Sequence, residues 1–285
     1  LLPCLRSLRE QNGLMELVIV DNSTDPAAAR RVQVAATDGL VDRVIITGEN
    51  IGFARAVNIG IKSAPEDADI FLMNPDAVLD HGCIEALQRT SAEDGNIGLL
   101  APVVRADVGV RVMSAGRQPT IGALFNHYSG LSRLSPNSRR LRGRHLFLDR
   151  HSISDRDVEW VAGCCMYITR RAITGLGGLS ERWFMYGEDI DYCKRVVDSG
   201  MRIRLVAAAG AYHQMGVSVQ GVGGRAALMW PANTYDYYCL AYEANWVSRT
   251  TWRLVFSLGL ASRGVAIPIK GRFSRSSRSR GRRLI

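Results

Sequence analysis

Three short apolar runs, each stopped by a polar turn, constrain this chain more than any other feature. ELVIV (16–20) ends at DNSTDP, VDRVIIT (41–47) at GENIG, and ADIFLM (68–73) at NPD; IGLLAPVV (97–104) adds a fourth run. Runs this short and continuous are what strands buried on both faces require. Helical patterns lie between and before them. LLPCLRSLREQ carries Leu1, Leu5 and Leu8 at helical spacing, Asp25-Pro26 starts a second helix, and FARAVNIGIKSA is a third. Strands alternating with helices predict an α/β fold with a mostly parallel sheet flanked by helices. Such sheets bind ligands beyond the carboxyl ends of their strands. DNSTD, GENIG and NPD all sit at those ends.

A chain of 285 residues can bury a full core, and no apolar run in it reaches the roughly 18 residues of a membrane span. The longest candidate, LVFSLGLAS (254–262), has Arg253 and Arg263 at its ends. Six cysteines form no C-x-x-C pair and no zinc spacing, which reads as buried, reduced thiols of a cytoplasmic protein. Of the net charge of +9, the tail from Lys270 onward holds Lys270, Arg272, Arg275, Arg278, Arg280, Arg282 and Arg283 with no acid, so the body is close to neutral. A second basic stretch, SRRLRGRH (138–145), falls in a weakly patterned region from about 105 to 158 that reads as a long loop with solvated charges. Order returns with VEWVAGCCMYITRRAI, a strand running into a short helix, and with MRIRLVA, a further strand.

Between them, WFMYGEDIDYCKR crowds Glu188, Asp189 and Asp191 together. Ile190, Cys193 and Val197 form an apolar stripe, so GEDIDYCKRVVDSG is a helix closed by Gly200. Acids in a first turn suit the helix dipole, and Asp191 can pair with Arg195 at i,i+4. An ionised carboxylate at the rim of a cleft also suits a general base. Asp76 ends a buried strand and serves either as a turn residue or as a ligand to a hard divalent cation. His213 is one of five histidines, and GVGGRA (221–226) comes too late, with no βαβ unit after it, to be a dinucleotide fingerprint.

The order of these elements resembles the family 2 glycosyltransferases, which have the GT-A nucleotide-sugar-binding fold, and within them the rhamnosyltransferase-like branch. The matching segments are VIVDNSTD, GENIGFARAVNIG, FLMNPDAVL, VAGCCMYITRRA with GGLSERWFMYGEDIDYCKRV, and AAAGAYHQMGVS. The resemblance implies an inverting transfer of a sugar, rhamnose from dTDP-rhamnose as first choice, to a glycan or lipid-linked acceptor. It implies that Asp21 and Asn22 hold the nucleotide, that Asn50, Gly52 and Asn58 shape the loop around it, and that Asn74 and Gly163 belong to the same nucleotide-sugar set. Asp76 and His213 would bind Mg2+ or Mn2+ at the diphosphate. Asp189 matches the catalytic base, and Trp183 and Glu188 would line the acceptor site.

The resemblance covers a catalytic domain (1–215); composition and charge add an aromatic and amphipathic segment facing acceptor or membrane (216–269) and a basic disordered tail (270–285). Members of the family open with a buried strand ahead of the helix that begins here at Leu1, so the chain reads as lacking that strand. The apolar residues between Trp246 and Ile269, Trp252 and Phe256 among them, together with the tail, suggest a peripheral enzyme on an anionic membrane at the cytoplasmic face. Specific nucleic-acid binding is not expected, since the tail has no aromatic interleaving. Two other readings share parts of the pattern: a sugar nucleotidyltransferase, which would open with a Gly-rich phosphate loop, and a truncated, non-catalytic paralogue that binds a partner.

Overall fold

The computed structural model describes residues 1–12, 15–106, 111–134, 138, 140–147, 151–213 and 224–279. The N-terminal part alternates as expected: α1 (Leu2–Arg9), β1 (Val18–Asp21), α2 (Pro26–Thr37), β2 (Arg43–Ile46), α3 (Phe53–Ser63) and β3 (Ile70–Met73). β4 (Ala77–Leu79), α4 (Cys83–Glu93) and β5 (Ile97–Arg105) follow. Asp25 caps α2, its carboxylate accepting the Ala27 N–H at 2.9 Å, with Pro26 in the first turn.

The stretch expected to be a long loop contains regular structure: β6 (Arg111–Gly116), α5 (Ile121–Ser129), α6 (Leu131–Leu134), β7 (His145–Phe147) and β8 (Arg156–Asp157). Its strands are too short for their periodicity to stand out in sequence. β9 (Trp160–Val161), β10 (Cys165–Ile168), α7 (Arg170–Leu176), α8 (Glu188–Asp198), β11 (Arg202–His213), α9 (Gly224–Ala241) and α10 (Trp246–Ser279) complete the order.

The α/β architecture stands, but the pairing is mixed rather than mostly parallel. β1 and β2 pair in parallel as a two-stranded sheet. The six-stranded sheet runs β3-β10-β5-β11-β4, with β8 along β11, and only its β5–β11 pair is parallel. Parallel neighbours need a long crossover. The NPD turn from β3 to β4 is too short for one, and β4 pairs antiparallel with β11 instead. A small antiparallel sheet, β7-β6-β9, closes one end.

β5 is the spine. Leu99, Ala101 and Val103 face a core shared with Met166, Ile168, Ile190 and Val196. Ile97, Leu100 and Val104 face a second core with Leu5, Leu87 and Val206. Alternate residues on opposite faces, both buried, account for the unbroken apolar run. On α8 the buried stripe is Ile190, Tyr192, Cys193 and Val196, whereas Val197, assigned to it by spacing, is exposed. All six cysteines are free thiols; Cys164 and Cys239 are half-buried and the rest buried.

The C-terminal helices dock on α5. The Trp252 indole donates to the Pro119 carbonyl at 2.8 Å and stacks on Phe256 with centroids 4.7 Å apart. Gly259 lies where any Cβ would run into the Tyr128 ring. Trp252 and Phe256, expected to face a membrane, are thus interior residues. Trp246, Val247, Leu254 and Leu258 stay exposed on the other side of the helix. Where composition suggests a disordered tail from residue 270, the backbone continues α10 to Ser279; extending an existing helix is far easier than nucleating one. Residues 280–285 and the first three residues of GVGGRA (221–223) lie outside the described residues. Among the described residues no helix is long and apolar enough to cross a membrane.

Candidate active site

Parallel pairing of β1 with β2 brings the ends of both strands to one edge, with Asp21 opposite Ile46. Asp21 is buried; one carboxylate oxygen accepts the Ser23 N–H at 3.0 Å and the other has no partner among the described residues. Asn22 stitches the adjoining loop. Its amide donates to Asn50 Oδ1 at 3.2 Å and to the Gly52 carbonyl at 3.1 Å, and its Oδ1 accepts the Ile51 N–H at 2.9 Å. Gly52 has φ 93°, and a Cβ there would stand 2.8 Å from the Phe184 carbonyl, which accepts the Phe53 N–H at 2.8 Å. Only glycine tolerates both constraints. Asp21, Asn22, Asn50 and Gly52 thus form one cluster, and its last residue touches the loop ahead of α8.

Asn58 is not part of it. Its amide donates to the Leu179 carbonyl and to Glu181 Oε1, both at 2.9 Å, and its Oδ1 accepts the Leu179 N–H at 2.8 Å. Both amide N–H groups are used and Oδ1 accepts one bond, so Asn58 clamps α3 to the segment before α8. Asn74 contributes its backbone: its N–H donates to the Cys164 carbonyl at 2.9 Å and its carbonyl accepts the Ala77 N–H at 3.1 Å.

The β4–β11 register sets His213 opposite Ala77, beside the strand-end Asp76. His213 Nε2 lies 2.9 Å from Asp76 Oδ1, and the carboxylate raises the imidazole pKa above its ordinary value, against the opposing effect of burial. A carboxylate in the turn before β4 and an imidazole at the end of β11 are a donor pair suited to a divalent cation. Among the described residues no cluster of three or more His, Cys, Asp or Glu forms a metal-holding group.

Asp189 stands in the first turn of α8. Its carboxylate accepts the Ile190 N–H at 2.8 Å and the Gly163 N–H at 3.4 Å. Burial raises its pKa, opposed by those two N–H groups, the Arg144 charge and the Trp160 indole. Glu188 beside it is buried, with one oxygen unpartnered among the described residues; burial first, and the Asp189 charge second, push it up to about 8. Two adjacent carboxyls in a desolvated turn do not both ionise readily. Asp191, the third acid, pairs with Arg195 at 2.9 Å as the spacing predicts.

Gly163 joins these parts. Its N–H reaches Asp189, the Phe53 ring packs where a side chain would stand, and the next residue, Cys164, accepts the Asn74 N–H. Trp183 and Glu188, expected to line an acceptor site, are instead both buried. The Trp183 indole donates to Asp236 Oδ2 at 2.9 Å and its ring covers Gly187, where φ is 113°. Asn233 donates to the Met185 carbonyl at 2.7 Å, and Arg182 pairs with Asp236 at 2.8 Å. α9 therefore grips the loop from both sides and leaves Phe184 exposed and Tyr186 half-buried, the latter with φ 67°.

Residues 1–168 match the model of Glycosyl transferase family 2. The chain belongs to that family. As a member it is an enzyme that transfers a sugar, and it is similar to rhamnosyltransferases. It is 27% identical over 268 residues, 90% of this chain and 84% of the relative, to the N-acetylglucosaminyl-diphospho-decaprenol L-rhamnosyltransferase of Mycobacterium tuberculosis. It is 25% identical over 175 residues to rhamnosyltransferase WbbL of Escherichia coli, 59% of this chain and 62% of that one. Two solved structures share its fold at a TM-score of 0.53. GalNAc-T7 with UDP, GalNAc and Mn2+ is 14% identical and aligned over 74% of this chain and 40% of its own. Staphylococcus aureus TarS 1–349 is 13% identical and aligned over 92% and 67%. The fold of this glycosyltransferase is GT-A.

Sequence reasoning missed several residues packed around the candidate site: Arg144, Trp160, Asn233, Asp236 and the aromatic pair Phe184 and Tyr186. Arg144 was read within a solvated basic run, yet it is only 5% exposed and its guanidinium carbon lies 4.9 Å from the Trp160 ring centroid. An aromatic so close to GED was the one available signal for Tyr186. Nothing local marks the others.

Proposed function

We propose that this glycosyltransferase moves a sugar, dTDP-rhamnose being the first-choice donor, to a lipid-linked or glycan acceptor with inversion and with the help of Mg2+ or Mn2+. The observation that supports this most is the two-residue span Gly163–Cys164, which joins Asp189 on one side to the Asn74–Asp76 turn on the other. A base and a diphosphate-binding turn are needed that close together. In this reading Asp189 takes the proton of the acceptor hydroxyl as its oxygen attacks the anomeric carbon. The bond to the diphosphate breaks on the opposite face and the nucleoside diphosphate departs. Asp76 and His213 would hold the cation, which neutralises charge on the leaving diphosphate. The unpartnered Asp21 oxygen would accept an N–H of the nucleotide base. Phe184 and Tyr186 would face the acceptor, while Trp183 and Glu188 support them from behind.

The donor is identified by measuring nucleoside diphosphate release across a panel of nucleotide sugars, with a polyprenyl-diphosphoryl N-acetylglucosamine as acceptor. That acceptor is suggested by the named substrate of the mycobacterial relative. Turnover confined to dTDP-rhamnose is expected. Turnover of UDP-sugars alone would replace the donor, and release of pyrophosphate would replace the reaction class.

A lipid-linked acceptor also fits a place for the enzyme on the cytoplasmic face of an anionic membrane. The exposed Trp246, Val247, Leu254 and Leu258 lie on a helix whose other side is docked, and from Trp246 onward the chain has many Arg and no Asp or Glu. Each cation close to such a surface contributes roughly 1 kcal/mol. Co-sedimentation with vesicles should be strong for anionic lipid, weak for neutral lipid, and reduced by Leu254→Ser with Leu258→Ser. Equal binding to both vesicle types would overturn the membrane assignment.

A further inference from the structure

The loop from Arg182 to Gly187, which leads into the helix of Asp189, is fastened from two sides. On the nucleotide side the Phe184 carbonyl accepts the Phe53 N–H at 2.8 Å. On the other side stands α9, which lies beyond the segment matched by the family model. Asn233 and Asp236, three residues apart, share one face of that helix. Asn233 donates to the Met185 carbonyl at 2.7 Å, and the Asp236 carboxylate accepts the Trp183 indole N–H at 2.9 Å. An ionised acceptor makes the second bond a strong one. Arg182 also reaches Asp236, at 2.8 Å, but both side chains are about half exposed and such a pair adds little. Tyr237 meets the Trp183 ring edge-on, with centroids 6.2 Å apart. The ring so held lies 3.0 Å from where a Cβ of Gly187 would stand, immediately ahead of Glu188 and Asp189.

These bonds engage the loop backbone and the Trp183 indole, and they leave the Phe184 ring exposed and Tyr186 half-buried. Tyr186 has φ 67°, a conformation that a tyrosine keeps only where its surroundings impose it. The groups that impose it are the Phe53 N–H and the two side chains of α9. We propose that Asp236, with Asn233 one turn before it, is a positioning residue for the acceptor. Through the Trp183 indole and the Met185 carbonyl the pair sets where Phe184 and Tyr186 meet the acceptor, without touching it. The donor side is built differently: Asn22, Asn50 and Gly52 are tied by hydrogen bonds of their own. Loss of the α9 bonds should therefore be felt on one substrate and not on the other.

The inference rests on Phe184 and Tyr186 facing the acceptor, and the test separates the two. Initial rates are measured with the donor that turns over in the panel, varying polyprenyl-diphosphoryl N-acetylglucosamine. Phe184→Ala should raise the acceptor KM. If it does not, the acceptor reading fails and this inference with it. If it does and Asp236→Ala is silent, only the present inference fails. Asp236→Ala should raise the acceptor KM about tenfold and leave the donor KM unchanged, as expected when binding to one substrate alone is weakened. Asp236→Asn keeps an oxygen for the indole N–H and should recover most of the loss, and Arg182→Ala should cost little. Trp183→Phe removes the indole N–H and keeps an aromatic ring. In the Asp236→Ala background it should cost less than it does alone, because the two residues share one bond. Donor and acceptor KM rising together, or a lower thermal midpoint with an unmoved acceptor KM, would refute the role. Should Asp236→Ala not fold, Asn233→Asp decides: it keeps the size and loses the donor to Met185, so it must raise the acceptor KM alone. An unchanged acceptor KM in that variant overturns the inference.

Discussion

Asn58→Ala separates a clamp from a nucleotide ligand. The wild-type amide is the hydrogen-bond partner of the Leu179 N–H and carbonyl, with a third bond to the half-exposed Glu181 carboxylate. Truncation leaves the Leu179 groups without that partner in a buried spot. Each unsatisfied buried group costs about 1–3 kcal/mol, while the Glu181 contact, open to water, adds little. A loss of roughly 2–4 kcal/mol follows, against a total stability of roughly 5–15 kcal/mol for a domain. The protein should still fold, with a thermal midpoint lower by roughly 5–15 °C. Asn58→Asp should be worse, because it keeps the acceptor for the Leu179 N–H but turns the donor into a second carboxylate oxygen facing Leu179 O and Glu181. Urea titration followed by tryptophan fluorescence gives the stability, and nucleoside diphosphate release gives the donor KM. The expected result is lower stability with donor KM near wild type at a temperature where both proteins are folded. A several-fold rise in KM at unchanged stability would refute the clamp and return Asn58 to the nucleotide.

Other outcomes follow from the same geometry. Chelation should abolish transfer and Mg2+ or Mn2+ restore it, with Asp76→Ala weakening donor binding only when metal is present; full activity in excess chelator would remove the cation from the reaction. Glu188 keeps its proton in the folded enzyme up to about 8, against an ordinary 4.5. The unfolded chain ionises first, so this group's contribution is intact at low pH and is lost as pH rises across that window. Glu188→Gln should therefore match the wild-type thermal midpoint near pH 5 and exceed it increasingly towards pH 8; a constant difference would show that Glu188 is already ionised. Gly259→Ala drives a methyl into the Tyr128 ring and should cost roughly 1–3 kcal/mol, read by thermal melting. A neutral result would mean α10 docks loosely on α5.

What the sequence determined by itself is the part of the fold that local pattern dictates. A strand buried on both faces needs unbroken apolar residues, which holds for β5; β1 and β3 were legible from the same kind of run, although the structure leaves them mostly half-buried. Polar turns at their ends marked the β1–β2 edge where Asp21, Asn22, Asn50 and Gly52 collect, and the β3–β4 turn that carries Asp76. The Asp191–Arg195 pair was legible too, because helical spacing alone brings i and i+4 together. Tertiary structure decided whatever depends on a partner far away in the chain. Asn58 acts through a residue 121 positions on. Arg144 is buried with its guanidinium over the Trp160 ring, and nothing in SRRLRGRH distinguishes it from its neighbours. α10 carries apolar residues on two sides, and only the surface of α5 selects Trp252 and Phe256 for burial while leaving Leu254 and Leu258 outside. Periodicity says which residues share a face of a helix; which face is buried is set by the surface that meets it.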